Sequence, residues 1–321
     1  MMRGQPLGRA PTVAAESRDE ILRGLRADVK TIAPKYFYDD RGARLFEEIC
    51  RQPEYYLTNA ELEILRERAP EIGALAGPRC ALVEYGSGAG VKIRLLLDAI
   101  ERPASYTPVD ISHRQLAEVV ATLGRDYPAL PIRPVCADYT RPLDIPPLPD
   151  RARRIGFFPG SSIGNFHPPE AIAFLRRARH TLGRDGVIVL GVDRRKDAPT
   201  LHAAYNDARG VTAEFNLNVL ARLDRELGAD FDLSLFRHRA FFNDAASRIE
   251  MHLQSLAPQC VTIADERIRL GRGETIWTES SYKYDMERLR MVVAAAGFEI
   301  TRLWTDAQEL FWVAYLSVTH V

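Results

Sequence analysis

Residues 82–92 read LVEYGSGAGVK, and this stretch decides the fold. An apolar run leads into a loop with glycines Gly86, Gly88 and Gly90, and an apolar, helix-like segment follows. A strand that turns through glycines into a helix is typical of sheets that bind nucleotide-like ligands. The dinucleotide fingerprint places its third glycine at the position of Val91, so the loop alone does not identify the ligand.

The chain around this loop alternates between strand-like and helix-like segments. Strand-like runs occur at CALVEY, SYTPVDIS, PIRPVCADY, RRIGFFPGSSIGNF and GVIVLGVD, with amphipathic segments between them. The alternation stops after residue 193, and residues 194–285 carry helical patterns and then several strand-like runs. It resumes over residues 286–321 as helix, strand and strand. This order predicts a parallel α/β sheet with an insertion that forms a second lobe.

Composition narrows the functional classes. The chain has 321 residues and is 46% hydrophobic, which allows a large core of one or two domains. Lys+Arg and Asp+Glu both number 43, and this balance argues against a nucleic-acid partner. The four cysteines form no C-x-x-C pair, which favours a reduced, cytoplasmic compartment and no metal site. The sequence shows no signal peptide and no membrane span.

Three acidic residues near strand ends indicate which kind of ligand the glycine loop binds. Glu84 lies at the end of the first strand, Asp110 at the end of the second and Asp138 at the end of the third. The carboxyl ends of parallel strands line one crevice, so all three are expected to meet one ligand. A carboxylate rim would repel a pyrophosphate and suits a cation. S-adenosylmethionine (SAM) carries a sulfonium and an ammonium but no phosphate, so it fits this rim better than a dinucleotide does.

Other stretches carry a closer resemblance. The segments PEYYLTNAELEIL, EYGSGAGVK, PGSSIGNFHP, GVTAEFNLNVLARL, RIEMHL and TESSYKY resemble the histidine-specific N-alpha-methyltransferases of ergothioneine biosynthesis, from about residue 30 to the end. The closing pattern AAAGFEITRLW…FWVAYLSV is also that of class I methyltransferases, whose last strand inserts antiparallel. The resemblance implies a seven-stranded, Rossmann-like sheet with a second α+β lobe. This lobe would comprise residues 18–62 and 194–285, and the SAM-binding core residues 63–193 and 286–321, after a disordered tail over residues 1–17.

The resemblance also assigns residues to a site between the lobes. It implies that three residues hold the amino-acid backbone during catalysis: Tyr56, Asn165 and Tyr205. It places three at the side-chain end of the substrate: Met251, Glu279 and Ser281. The cofactor contacts would be Glu84, Gly86, Lys92, Asp110, Asp138 and Tyr139. A carboxylate and a hydroxyl together can bond both nitrogens of an imidazole.

The activity so implied is SAM-dependent trimethylation of the α-amino group of free L-histidine to hercynine. Two alternatives stay open: the same fold acting on another free amino acid, such as tyrosine or tryptophan, and a non-catalytic SAM-binding module. We expect a monomer with a small-molecule substrate and no nucleic-acid or membrane partner. Thr58 and Glu61 are further predicted to form a capping box at a helix start.

Overall fold

A computed structural model describes residues 15–145 and 152–319. The helices are α1 Ala15–Arg26, α2 Asp40–Ile49, α3 Tyr56–Ala76, α4 Val91–Ala99, α5 His113–Asp126, α6 Pro168–Leu182, α7 Ala198–Tyr205, α8 Val211–Leu227 and α9 Met286–Ala295. Short 3₁₀ turns occur at Pro34–Phe37, Ser162–Asn165 and Leu233–Leu235. The strands are β1 Lys30–Thr31, β2 Ala81–Tyr85, β3 Ser105–Asp110, β4 Val135–Cys136, β5 Arg154–Phe158, β6 Val187–Asp193, β7 Phe236–Asn243, β8 Arg248–Ser255, β9 Gln259–Ile263, β10 Glu266–Leu270, β11 Thr275–Tyr282, β12 Phe298–Thr305 and β13 Phe311–Val318.

Seven strands form the central sheet in the order β12-β13-β6-β5-β2-β3-β4. The strands β2 to β6 pair in parallel, whereas β13 runs antiparallel to both β6 and β12. Every residue of β2, β3 and β6 is buried, as expected for strands covered by helices on both faces. This topology confirms the predicted class I methyltransferase sheet with its antiparallel last strand.

One strand of this sheet is shorter than its sequence pattern indicated. The run PIRPVCADY contributes only the two-residue strand β4 at the sheet edge. Pro134 lacks the amide hydrogen that a paired strand donates, so the ladder is interrupted there, and upstream of it an isolated bridge joins Ile132 to Tyr106. Asp138 therefore follows the strand by two residues and stands on a loop.

The insertion forms a separate sheet of order β1-β11-β8-β7 and a β9–β10 hairpin. Strands β7, β8, β9 and β10 correspond to the strand-like runs RHRAFFN, SRIEMHLQSL, QCVTIA and ERIRL of the insertion. The sequence pattern does not predict β1 and β11. The two-residue strand β1 comes from the N-terminal segment and pairs in parallel with β11. The predicted boundary between residues 62 and 63 falls inside α3, which is one continuous helix.

Two local predictions need correction. Helix α3 begins at Tyr56, and its N-cap residue Tyr55 makes no side-chain cap bond, so the Thr58–Glu61 capping box is wrong. Of the tail predicted for residues 1–17, the first 14 lie outside the described residues, and α1 begins at Ala15. Over the described ranges, no helix has both the length and the apolar character that crossing a membrane requires.

Candidate functional site

A cavity of about 990 Å³ lies at the carboxyl ends of the parallel strands. Its wall includes the glycine loop after β2, the end of β3, the loop after β4 and the turn after β5. The other wall comes from the segment between α1 and α2 and from the start of α3. All six residues predicted to bind the cofactor line this cavity: Glu84, Gly86, Lys92, Asp110, Asp138 and Tyr139. Its size is at the upper end of the range for small-molecule sites.

Asp110 holds the glycine loop in place. One oxygen of its carboxylate accepts hydrogen bonds from the Ser87 amide at 3.0 Å and the Ser87 hydroxyl at 3.4 Å. The other oxygen accepts from the Ser112 amide at 2.9 Å. Gly86 has a φ of +81°, a backbone conformation that residues other than glycine rarely adopt. Burial raises the pKa of Asp110 although these bonds oppose the shift.

We expect Asp110→Asn to weaken SAM binding about tenfold. The amide group would turn one acceptor into a donor that faces a backbone N–H, so one charge-assisted hydrogen bond is lost at about 1.5–3 kcal/mol. Calorimetric titration with SAM measures the effect. The matched control is Asp126→Asn, because Asp126 pairs with Arg94 on the surface at the end of α5 and does not line the cavity. Equal affinities for both variants would contradict the role of Asp110.

The two remaining acids of the rim differ in their surroundings. Glu84 is buried and accepts a hydrogen bond from the Tyr106 hydroxyl, and burial raises the pKa of its carboxyl to about 8. Hydrogen bonds from the side chain and backbone of Thr140, with help from Lys35, hold the pKa of Asp138 below its usual range although burial opposes this. A cation at the rim would therefore meet ionised Asp138 directly and would favour ionisation of Glu84.

Lys92 and Tyr139 complete the cofactor side. The Lys92 ammonium donates to Glu61, a fully buried residue of α3 whose carboxylate also accepts from the Gly160 amide at 2.8 Å. This pair explains why a lysine is tolerated in the first turn of α4, where the helix dipole opposes a positive charge. Tyr139 packs edge-on against Phe158, with ring centroids 5.5 Å apart, and so presents an apolar wall beside the acids.

Another part of the cavity wall, the aromatic end, consists of ring side chains. Tyr38, Phe46 and Tyr55 line it, and Phe46 packs edge-on against both tyrosine rings at 5.7 and 6.4 Å. Asn165, from the 3₁₀ turn after β5, lies on the same wall. In that turn, a Cβ on Gly164 would lie 2.8 Å from the Tyr282 carbonyl oxygen, so glycine permits the turn to lie against β11. Asn165 is the only predicted substrate residue among those that line the cavity.

Tyr56 does not line the cavity, whereas its neighbour Tyr55 does. The Tyr56 hydroxyl donates to the carboxylate of Asp193 at 2.8 Å and accepts from the Lys196 ammonium at 2.6 Å. Because Tyr55 precedes α3 and Tyr56 is its first residue, the two side chains point in different directions. The residue at which the helix begins decides which tyrosine faces the ligand. The sequence PEYY does not reveal this residue.

Glu279, Met251 and Ser281 lie on one face of the insertion sheet. Met251 is buried and stands opposite Glu279 in the β8–β11 ladder, and Ser281 follows Glu279 by two residues. None of the three is part of the cavity wall, but the carboxylate of Glu279 acts electrostatically on the wall residues Tyr38 and Tyr55. This predicted group is therefore assembled directly behind the aromatic end.

The carboxylate of Glu279 accepts no hydrogen bond from any residue in the described part of the chain. Burial raises the pKa of this carboxyl to about 7, against the opposing influence of the Lys283 ammonium. Glu279 is part-buried and lies behind the cavity wall, so its carboxylate, which has no donor among the described residues, is suited to a ligand N–H.

Tyr205 joins this face to a buried ionic cluster. Its hydroxyl donates to the Ser281 hydroxyl at 2.8 Å and accepts from the Lys283 ammonium at 2.9 Å. Lys283 also forms an ion pair with Asp193 at 2.7 Å, and both residues are fully buried. Four residues of the site were not predicted from the sequence: Tyr38, Tyr55, Glu61 and Lys283. Side chains alternate between the two faces of a strand, so the spacing of two residues in TESSYKY indicates that Lys283 lies on the same face as Glu279 and Ser281.

Comparisons with known proteins find similarity over most of the chain. Residues 17–318 match the family described as histidine-specific, SAM-dependent methyltransferases. The chain is 42% identical over 310 residues to the histidine N-alpha-methyltransferase of Mycolicibacterium smegmatis, covering 94% of this chain and 96% of that protein. It is 40% identical over 294 residues to the Mycobacterium tuberculosis protein of the same name, covering 90% and 91%. Among solved structures, the mitomycin 7-O-methyltransferase matches with a TM-score of 0.49 and 14% identity, over 96% of this chain and 68% of that one.

Proposed function

Because this chain belongs to the family of histidine-specific, SAM-dependent methyltransferases, we propose that it methylates the α-amino group of free L-histidine three times. The product is hercynine, a trimethylated betaine of the ergothioneine pathway. One observation carries the proposal: a single cavity joins an acidic cofactor rim to an aromatic end, behind which the Glu279 carboxylate lacks a hydrogen-bond donor among the described residues. A free amino acid with an N–H-bearing side chain fits that arrangement.

The cofactor end suits SAM, which supplies an electrophilic methyl group on a positively charged sulfur when bound. Glu84, Asp110 and Asp138 surround this end with carboxylates, which favour a cation and disfavour a phosphate. Lys92 donates one ammonium hydrogen to Glu61. Its remaining hydrogens can bond an anionic group such as the cofactor carboxylate.

The aromatic end holds the substrate backbone in this proposal. Tyr38 and Tyr55 offer phenol hydroxyls, and Asn165 offers an amide, so donors and acceptors are present for both an ammonium and a carboxylate. The faces of the two tyrosines tolerate the permanent positive charge that the nitrogen acquires with its third methyl group. Tyr56 and Tyr205 act from behind, through Asp193, Ser281 and Lys283.

The substrate nitrogen must be uncharged when it receives a methyl group, so protons have to leave the site. Burial raises the pKa values of Tyr38 and Tyr55 well above the usual range, which keeps both phenols protonated near neutral pH. These hydroxyls therefore serve as relays that accept and pass on a proton rather than as bases that keep it.

Glu279 and Ser281 receive the imidazole ring in this proposal. The Glu279 carboxylate accepts the ring N–H, and the Ser281 hydroxyl bonds the other nitrogen. Met251, opposite Glu279 across the ladder, packs beside the ring. An amino acid whose side chain lacks these two nitrogens would leave buried polar groups without partners, which is a strong source of discrimination.

We also propose that residues 18–62 and 194–285 form the substrate-binding lobe, and residues 63–193 and 286–321 the cofactor core. The pairing of β1 with β11 and the 2.8 Å hydrogen bond from Asn218 to Asp39 support this grouping, since both join the N-terminal segment to the insertion. We propose further that the protein acts as a monomer in the cytoplasm.

The direct test incubates the protein with SAM and one free amino acid at a time and weighs the products. With histidine, we expect successive mass gains of one, two and three methyl groups, and the trimethylated product should accumulate. Tyrosine and tryptophan, the alternative substrates, are expected to remain unmodified. Turnover of tyrosine without turnover of histidine would overturn the substrate assignment, and SAM binding without any product would favour a non-catalytic binding module.

A further inference from the structure

A fully buried lysine, Lys283, lies behind the proposed substrate site. It follows Glu279 and Ser281 on the same face of the chain at two-residue intervals, immediately after β11. Its ammonium donates to three acceptors: Tyr205 Oη at 2.9 Å, Ser281 Oγ at 2.9 Å and Asp193 Oδ2 at 2.7 Å. An ammonium has three hydrogens, so all of its donors are used and its position is fixed.

This lysine fixes the direction of the hydrogen bonds around Ser281. The Ser281 oxygen accepts from Lys283 and also from the Tyr205 hydroxyl at 2.8 Å. A hydroxyl oxygen has two lone pairs, so both are occupied. The hydroxyl hydrogen of Ser281 is therefore the only part of that group still available to a ligand.

We propose that Lys283 is a positioning residue that makes Ser281 an obligatory hydrogen-bond donor, so that the site binds the histidine ring only in its uncharged form. This inference rests on the proposed function. A neutral imidazole has one bare nitrogen, which accepts from Ser281, and one N–H, which donates to Glu279. An imidazolium has two N–H groups and no acceptor, so its second N–H would oppose the Ser281 hydrogen.

The charges of the buried cluster agree with this role. Asp193 carries one negative charge and is shared by the ammonium groups of Lys283 and Lys196, so an excess positive charge remains. Lys283 accordingly favours the ionised form of Glu279, although burial raises the pKa of that carboxyl to about 7. The other titratable groups that act on Glu279 or Ser281 are the phenols of Tyr38, Tyr55 and Tyr205. One side chain thus sets both the donor and the acceptor of the ring.

The first experiment replaces Lys283 by methionine, which is unbranched, lacks only the terminal atom of the lysine chain and removes its donors. Histidine affinity, measured by calorimetry in the presence of S-adenosylhomocysteine, is expected to fall about 10- to 100-fold, with cofactor affinity changed by less than about threefold. The matched control is Lys30→Met, which removes the ammonium that pairs with Glu274 at 2.8 Å but leaves Asp193, Ser281 and Tyr56 untouched; here histidine affinity should change by less than about threefold. Equal effects of the two variants would overturn the inference.

A double-mutant cycle separates positioning from a general structural role. If Lys283 acts mainly through Ser281, Lys283→Met should weaken histidine binding several-fold less in a Ser281→Ala background than in the wild type, the remainder being its effect on the ionisation of Glu279. An effect as large as in the wild type would show that the lysine acts by another route. Wild-type protein that fails to methylate histidine would reject the proposed function and this inference together, whereas turnover insensitive to Lys283→Met would reject the inference alone.

A second measurement needs no variant. In 3-(1,2,4-triazol-3-yl)alanine the ring has an N–H and a bare nitrogen at the imidazole spacing, but it stays uncharged in mild acid. Between pH 8 and pH 5.5, the affinity of wild-type protein for this analogue relative to histidine should rise about tenfold, because imidazole protonates near pH ~6.5. Protonation of Glu279 affects both ligands alike and cancels in the ratio. A constant or falling ratio would show that the site accepts the imidazolium.

Discussion

Replacement of Glu279 by alanine is expected to weaken histidine binding by about 3 kcal/mol, roughly 150-fold in Kd, while SAM binding stays within about twofold of wild type. The variant removes the acceptor for the ring N–H and leaves that N–H buried without a partner. Glu279 does not touch the cofactor end of the cavity, so its loss should not reach the acidic rim. Calorimetry with each ligand separately measures both quantities.

Glu279→Gln is the matched control, because it keeps the shape and one acceptor oxygen but removes the charge. Its loss of histidine affinity should be smaller than that of alanine. In the wild type, affinity should fall as the pH is lowered through about 7, because the protonated carboxyl has lost its charge and accepts the ring N–H only through a weaker, neutral hydrogen bond. Parallel losses of histidine and SAM binding in Glu279→Ala would instead show that the residue supports the fold.

Lys92→Met is expected to lower the free energy of unfolding by about 3 kcal/mol. The Glu61 carboxylate is fully buried, and without Lys92 the Gly160 amide is its only donor among the described residues. Breaking a buried ion pair from one side is costly because it leaves a charge without compensation. Urea unfolding measures the loss, and an unchanged m-value would show that the denatured state is not affected.

The double variant Glu61→Gln/Lys92→Met provides the control for this prediction. Glutamine can still accept from the Gly160 amide but carries no charge, so most of the lost stability should return. We expect SAM affinity to be lower than in the wild type in both Lys92→Met and the double variant, because neither protein offers an ammonium to the cofactor. A loss of less than about 1 kcal/mol in Lys92→Met would contradict the prediction. Ion pairs that are exposed to solvent contribute no more than that to stability, so the Glu61–Lys92 pair would then behave as an exposed one.

The cofactor half of the site could be predicted from the sequence because its residues follow from strand order. Glu84 and Asp110 lie where their strands end, and Asp138 follows its shortened strand by two residues. Parallel strands bring these positions to one edge whatever the side-chain packing. These three acids accordingly line the cavity, and so do Gly86, Lys92 and Tyr139, which the resemblance to the family implied.

The substrate half depends on details that the sequence pattern does not contain. Whether Tyr55 or Tyr56 faces the ligand is decided by the residue at which α3 begins. Glu61 has the spacing of a helix cap, but it pairs with Lys92 and Gly160, which are distant in the chain. Such contacts arise from packing between elements, and local patterns carry little information about them.

The pairing of Lys30–Thr31 with Ile276–Trp277 has a consequence for how the protein is made. Each paired residue of β1 lies 246 positions before its partner in the chain, so β1 leaves the ribosome long before β11 is synthesised. When β11 emerges, β1 is already present to cover its hydrogen-bonding edge, and exposed strand edges promote association between chains. Proteolytic removal of β1 from the finished molecule would uncover that edge, so we expect the truncated chain to aggregate more readily.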